Sequence, residues 1–568
     1  MTAQNTITGA TSNLFVLFGG GSPDMKLMHA LEEVTVESSL HLPDIATITF
    51  RDPDVDLIES PAFKLGATVQ VKAKVGGNEE TVFDGELVEV EPRYTRHNQK
   101  LRLRAFDRMH RLARGTHTRS FQNVSDMDLV KKLAGEAGMQ AKVGPASFVH
   151  PYILQHNQTN LAFLRERAAR LGYVLYADGK TLHCEPPTGP DKIELTWGND
   201  LVEFAPRLSS IQQTTRTVVR GWDPKQKRAV VGQADTGNGK VSVGDSSTSE
   251  QVAPQAFNMP APETQSTVIV RDQSYATAIA QAERNRRAEG LIEATGVCGG
   301  YPKLTAGTTL TIKNVGKRFE GDYVASSVRH QYRTDRGYFT EFTVSGSRPD
   351  TIPALLRAST SGTSANSTAT GTTGLMIGIV TNNDDPENQG RVKVKLPALT
   401  EQDESDWARV ISVGGGPNRG FQYTPEVNDE VLVAFEHGDI HHPYVIGGLW
   451  NGQDKPPKPT KEVVKGGKVI QRVMKSRTGH EFIIDDSDDK PHIQLRTKQG
   501  HEITLHDDKK KPYVLVKDQS GNEVYIDTKQ NLVRVTSKGK LELKAQRGVL
   551  IDGGGGNVDV KGVMINLN

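Results

Sequence analysis

The chain has 568 residues, room for three or four domains of ordinary size, and is 36% hydrophobic. Its 69 basic and 68 acidic side chains leave a net charge of +1, without the basic excess of a nucleic-acid binder; the longest basic run, Lys509–Lys511, falls in a predicted turn. Two cysteines exclude a disulfide framework, and neither a secretory leader pattern nor an apolar run of membrane-spanning length occurs, so the expectation is folding in a reducing cytoplasm.

From about residue 24 to 110, short runs such as "IATITF", "TVQVKAKV" and "KLRLRAF" alternate apolar and polar residues. That period predicts an antiparallel barrel or sandwich. The period then becomes helical. In "SDMDLVKKLAGEAGM", Leu129, Val130 and Leu133 share a face, Ser125 stands as N-cap and Gly138 as terminator. A second helix, in "NLAFLRERAARLGY", is capped within residues 157–160 and stopped by Gly172, and a hairpin turning at Asp178-Gly179 follows. Together these predict an α/β insert at about 120–200. Strand patterns then resume; residues 225–262, polar and Gly/Ser-rich, read as a long loop, and a helix is expected near Ser274–Arg287.

The stretch "RASTSGTSANSTATGTTG" at 357–374 is a flexible linker by composition. It separates a hub-like domain, 1–356, from a compact β module, 375–455. A Lys/Pro/Gly-rich linker, 456–475, leads to a last domain, 476–568.

That last domain repeats. "TGHEFIIDD", "QGHEITLHD" and "SGNEVYIDT" follow one another with Gly479, Gly500 and Gly521 spaced by 21 residues. Strand alternation puts Phe482, Ile484, Ile493, Leu495, Ile503, Leu505, Val514, Val516, Val524 and Ile526 on one face. One copy has nothing of its own to cover that face, so a core shared with identical chains is expected. Weaker strand patterns follow in "KLELKAQ", "GVLIDG", "VDVKG" and "VMINLN".

The His-Glu pairs invite a metalloprotease reading, which the spacing opposes. Such enzymes hold zinc with two histidines four apart on a helix. His501 and His506 are five apart on a predicted strand and so point to opposite faces. His437, His441 and His442 lie on an extended segment where adjacent side chains diverge. The acidic turn Asp485, Asp486, Asp488 and Asp489 lacks the ligand order and central glycine of a calcium loop. Cys184 has no evident His/Asn partner. No catalytic, cofactor-binding or metal-ligating residue is expected.

Residues 375–452 carry an ordered set of motifs: "GIVTNNDDPENQGRVKVKLP", "DWARVIS" and "PEVNDEVLVAFEHGDIHHPYVIGGLWNG". This resembles the OB-fold module of VgrG-type spike proteins of type VI secretion, contractile phage tails and extracellular injection particles. Asn428 stands where that family commonly has Gly, a change a left-handed turn tolerates. "NLAFLRERAARLGYVLYADGKTLH" and "FEGDYVASSVRHQY" are similar to the family's hub, and the 21-residue repeats to its needle.

The resemblance implies a mainly β chain: a hub of small β-barrels with an α/β insert, an OB-fold module, and a C-terminal intertwined trimeric β-helix (β-prism). It implies a homotrimeric structural spike that pierces a target envelope and joins tube and baseplate proteins to a PAAR-type tip cap. The ten apolar residues above would be its trimer core, and Met564, Ile565 and Leu567 its tip-cap contact. No cofactor and no nucleic acid would be involved. Such a protein is made in the bacterial cytoplasm without a signal peptide and built into a tail-like particle. The alternatives are a spike that also carries an effector, a cell-wall hydrolase and a receptor-binding fibre. The hydrolase lacks room, because only about 25 residues separate Trp450 from Ser476.

Overall fold

Alternating strands need a partner for every backbone edge, and ten strands of the hub find it in one large sheet. The structure, a computed structural model, describes residues 13–346 and 374–566, except 22, 41, 76–77, 97, 146–147, 187–191, 240, 246–247 and 267. The expected linker up to residue 373, and Leu567, lie outside the described residues. The chain divides into two compact units, Met1–Gly448 and Leu449–Asn568.

In the first unit ten antiparallel strands form one sheet. Five early strands (Asn13–Phe18, Thr68–Val75, Asn78–Tyr94, Gln99–Phe106, Ile45–Arg51) lead to Leu31–Ser39 at its middle. Leu31–Ser39 pairs with Ser327–Arg333, Val34 opposite Tyr332, so the start of the chain is stitched to residues three hundred positions away. Gly337–Val344, Ile292–Gly299 and Leu201–Leu208 complete the order. Two hydrophobic lobes sit on this sheet. One is built on Ile48, Phe50, Val71 and Leu103, the other on Leu195, Leu310, Tyr323 and Phe342.

The α/β insert has a core of its own, from Met109 to Cys184. Its helices are Asp126–Glu136 and Asn160–Arg170. Ser125 and Asp128 form a reciprocal capping box on the first, and Thr159 caps the second through the Ala162 N–H at 3.1 Å. Gly138 and Gly172 end them at φ +73° and +70°, conformations open to glycine at little cost. Buried Arg108 pins the insert to the first lobe, donating to Asp84 at 3.0 Å and to the carbonyl of Gly179, in the hairpin turn, at 3.1 Å.

The segment expected as a loop at 225–262 is partly ordered: Arg228–Ala234 is a strand and Val252–Phe257 a short helix. Arg228–Ala234 pairs with Arg216–Asp223 under the helix Gln273–Glu289. The glycine that suggested a loop has another purpose. A Cβ on Gly232 would sit 2.2 Å from the Ala276 backbone, so Gly232 lets strand and helix approach.

The β module is a five-stranded sheet in the order Lys393–Lys395, Met376–Asn382, Glu430–Phe435, Pro443–Gly448, Arg409–Val410, around Val380, Val394, Val431, Val433 and Val445. Leu154 of the insert belongs to that same core.

In the second unit seven strands form a continuous antiparallel meander: Gln471–Lys475, Glu481–Asp485, His492–Arg496, Glu502–His506, Tyr513–Lys517, Glu523–Asp527 and Leu532–Thr536. It opens at Gln471, inside the segment expected as a linker. After Thr536 the weaker patterns form no strand among the described residues.

Candidate assembly face of the repeat ladder

Each repeat turns on the same device. The N–H of His480, His501 and Asn522 donates to the side-chain oxygen of Ser476, Thr497 and Asp518, at 3.0, 3.0 and 2.8 Å. Between them Gly479, Gly500 and Gly521 adopt φ +97°, +90° and +87°. The residue after the glycine also ties successive turns. His480 Nδ1 accepts from the Lys498 N–H at 3.4 Å, and Asn522 Oδ1 from the Lys538 N–H at 2.7 Å. The His-Glu pairs thus belong to the edge of the ladder.

Register brings the ten apolar residues together in two rows. Phe482 opposes Leu495, which opposes Ile503, then Val516, then Val524. Beside them run Ile484, Ile493, Leu505, Val514 and Ile526. Met474 and Val535 extend the first row and Val533 the second. In the single chain this face is open: Ile493, Leu495, Ile503, Leu505, Val516, Val524 and Ile526 are between 37% and 49% exposed. An open groove of about 730 Å³ runs along it, between Leu495, Ile503, Val516, Val524 and Leu541 of the trailing segment. Met564 and Ile565 are exposed as well.

The opposite face carries two outer polar rows, with Ile483, Gln494, Thr504 and Leu515 in register between them and Ile483 and Thr504 buried. Lys475 pairs with Glu481 at 2.9 Å, and in register follow Arg496, Glu502, Lys517 and Glu523, a row of alternating charge. A second row stacks His492 on His506 at 5.8 Å and His506 on Tyr513 at 4.6 Å. One sheet therefore has a mixed face with a buried middle row and an apolar face that stands largely open, a pattern that marks an interaction surface.

The other candidate chemistry is taken up structurally. His501 stands at a turn, and His506 accepts from the Asp508 N–H at 3.3 Å within the stack. Asp485 is buried; burial raises its carboxyl, but hydrogen bonds from Ser487 and Gln471 carry it below the usual range. Asp486 pairs with Arg472, and Lys509–Lys511 lie in a turn. Cys184 and Cys298 are buried, and burial pushes both thiols up to about 12, which keeps them protonated and poor nucleophiles. Among the described residues no group of three or more His, Cys, Asp or Glu is placed to hold a metal ion. No described helix is long and apolar enough to cross a membrane.

Two buried ion clusters escaped the sequence reading. In the insert, Arg167 Nε donates to Asp126 Oδ1 at 2.6 Å, and His150 Nε2 lies 3.1 Å from Asp126 Oδ2. Burial raises the Asp126 carboxyl, yet Arg167 and His150 bring it down to about 2. In the β module Arg391 grips Asp385 with two bonds, 3.0 and 2.7 Å, and lies over the Trp407 ring at 5.7 Å. The "DDPENQGR" spacing contained that second pair, since a six-residue turn returns Arg391 to Asp385.

Two family models match. Residues 16–334 match the Alg8 N-terminal domain, and residues 376–450 the type VI secretion system/phage-baseplate injector OB domain. Among curated relatives, the type VI secretion system spike protein VgrG5 of Pseudomonas aeruginosa is 34% identical over 112 residues, 17% of this chain and 14% of that protein. The actin cross-linking toxin VgrG1 of Vibrio cholerae is 26% identical over 113 residues, 19% of this chain and 10% of that protein. A solved type VI secretion component of E. coli, described as similar to T4 bacteriophage tail proteins, has a TM-score of 0.49 at 14% identity, covering 76% of this chain and 99% of that one. The Francisella PdpA–VgrG complex gives 0.49 at 9% identity, covering 93% and 88%. With residues 16–334 matched by its model, the chain belongs to the Alg8 N-terminal domain family, and an injector OB domain follows at 376–450.

Proposed function

We propose that three copies of the chain form the spike at the tip of a contractile injection machine, and that the chain acts mechanically rather than as an enzyme. The observation that carries this reading is the apolar face of the ladder, whose ten predicted residues share one side of the sheet, seven of them more than a third exposed in the single chain. Three such faces turned inward close a prism, leave the charged rows outside, and remove the exposed apolar surface. Covering each open Ile, Leu or Val contributes about 1–2 kcal/mol, and the face repeats along the whole ladder.

In this reading residues 1–356 are the hub that meets tube and baseplate, 375–455 the collar, and the last domain the needle. The segment after Thr536, strandless alone, pairs with its counterparts from the other copies towards the tip. Met564 and Ile565, with Leu567, offer an apolar seat for a PAAR-type cap. A pre-formed rod of hydrogen-bonded rungs passes force to a target envelope without needing a catalytic residue. Carriage of an effector at hub or tip is compatible with the same architecture.

Electron microscopy of the purified full chain tests the proposal. The expected particle is a three-fold rod on a broader head. Single, separate chains with a folded ladder would overturn it.

A further inference from the structure

The insert strands His117–Ser125 and Val149–Gln158 pair with each other as a sheet of two strands. So small a sheet holds its shape only when its faces are packed. One face is packed from within: Phe121 and Ile153, opposed in register, lie in the insert core. The other face is packed from the OB module. Ser120 opposes Leu154, and Tyr152 stands on the same side two residues away. Leu154 is 5% exposed and belongs to the OB core with Val380, Val392 and Ile440, and Tyr152 packs against that core.

Polar groups close the same joint. Ser120 donates from its N–H and its hydroxyl to Asp403 Oδ1 at 3.0 and 2.6 Å. The Tyr152 hydroxyl donates to the Glu404 carbonyl at 2.7 Å. His441 Nε2 lies 3.0 Å from the Leu154 carbonyl oxygen. The OB module holds its acceptors in place with residues of its own. The Thr400 hydroxyl donates to Asp403 Oδ2 at 3.2 Å, and Lys393 and Thr381 donate to the Glu404 carboxylate at 2.6 and 3.0 Å. Two partly exposed ion pairs also cross from hub to OB module, Lys225–Glu387 at 2.5 Å and Arg271–Glu436 at 3.8 Å, and such pairs contribute little.

We propose that this two-stranded sheet is a docking site for the chain's own OB module, and that the dock holds hub and OB module together even when the peptide between them is cut. Two features carry the proposal. An insert side chain completes the OB core, so parting the two leaves a hole in the OB module and strands a leucine in water. The hydrogen bonds around it are directional and braced from the OB side, so they fix how the OB module sits on the insert. In the spike reading a push on the hub reaches the OB module across this seam. That consequence rests on the spike reading, whereas the dock concerns one chain and stands without it.

The test uses the full chain with a protease site placed within 357–374 and a tag at its start. After cutting, both pieces of the wild type should leave a size-exclusion column together at micromolar concentration. Separate peaks would overturn the dock. Ser120→Ala combined with Tyr152→Phe removes two donors and almost no apolar volume, and keeps Leu154 in the OB core. With the cut chain held on resin by its tag, this variant should release the C-terminal piece at least about tenfold faster than wild type. Release at the wild-type rate would overturn the assignment of the dock to these residues. The mass of the uncut protein is read separately, so a failed dock and a failed three-chain reading are told apart.

Discussion

Replacing Ile503 by Lys separates folding of one ladder from assembly of several. Ile503 is 45% exposed in the single chain, in register between Leu495 and Val516 on the open face. There a lysine can lay its stem on the neighbours and reach water, so one chain alone loses no more than about 0.5 kcal/mol. In a three-chain core each copy loses about 2 kcal/mol of burial. Each copy also places an ammonium beside two like charges in a dry axis, at several kcal/mol per ion. The sum is on the order of 10–20 kcal/mol per trimer, enough to prevent assembly at micromolar concentration. Light scattering behind size exclusion reads the result. Ile503→Lys should lose the three-chain mass, whereas Gln494→Lys, on the opposite face between Ile483 and Thr504, should keep it. A full-mass trimer carrying Ile503→Lys would refute the inward orientation of the ten-residue face.

Arg391→Met should leave buried Asp385 without its cation and destabilise the OB module by about 3–5 kcal/mol, seen as rapid proteolysis within 376–450; unchanged protease resistance would contradict the pairing. Burial pulls the His330 imidazole from an ordinary 6.5 down to about 4. Between those values the unfolded chain holds the proton and the folded hub does not, so stability should fall by about 3 kcal/mol as pH drops through that window and level off below it. His330→Gln should flatten that slope in denaturant titrations. Gly500→Val has open space around it but must hold φ +90°, so backbone strain alone should cost about 1–2 kcal/mol in ladder melting.

The ladder was legible because its information is local. Strand alternation and a glycine every 21 residues set register, face and turn together, and the ten apolar residues fall on one face. Helix ends were legible for the same reason, through Ser125, Gly138 and Gly172. What stayed hidden depends on distant partners. Leu154 reads as an ordinary strand residue, yet it fills the OB core and accepts from His441, 287 residues away. Arg167 falls on the buried face of its helix, a turn after Phe163 and Leu164, and the partner that lets a guanidinium sit there, Asp126, lies on another helix. Gly232 looked like part of a loop because composition does not distinguish a glycine that turns the chain from one that admits a helix. The trailing segments showed alternation, yet among the described residues they form no strand in the single chain.

The copy number of the intact full-length protein tests the central claim most directly. Multi-angle light scattering on wild type at micromolar concentration should return three chain masses as a single species. A monodisperse single chain, with its ladder folded by circular dichroism, would mean the apolar face is stable without a partner and would contradict the account.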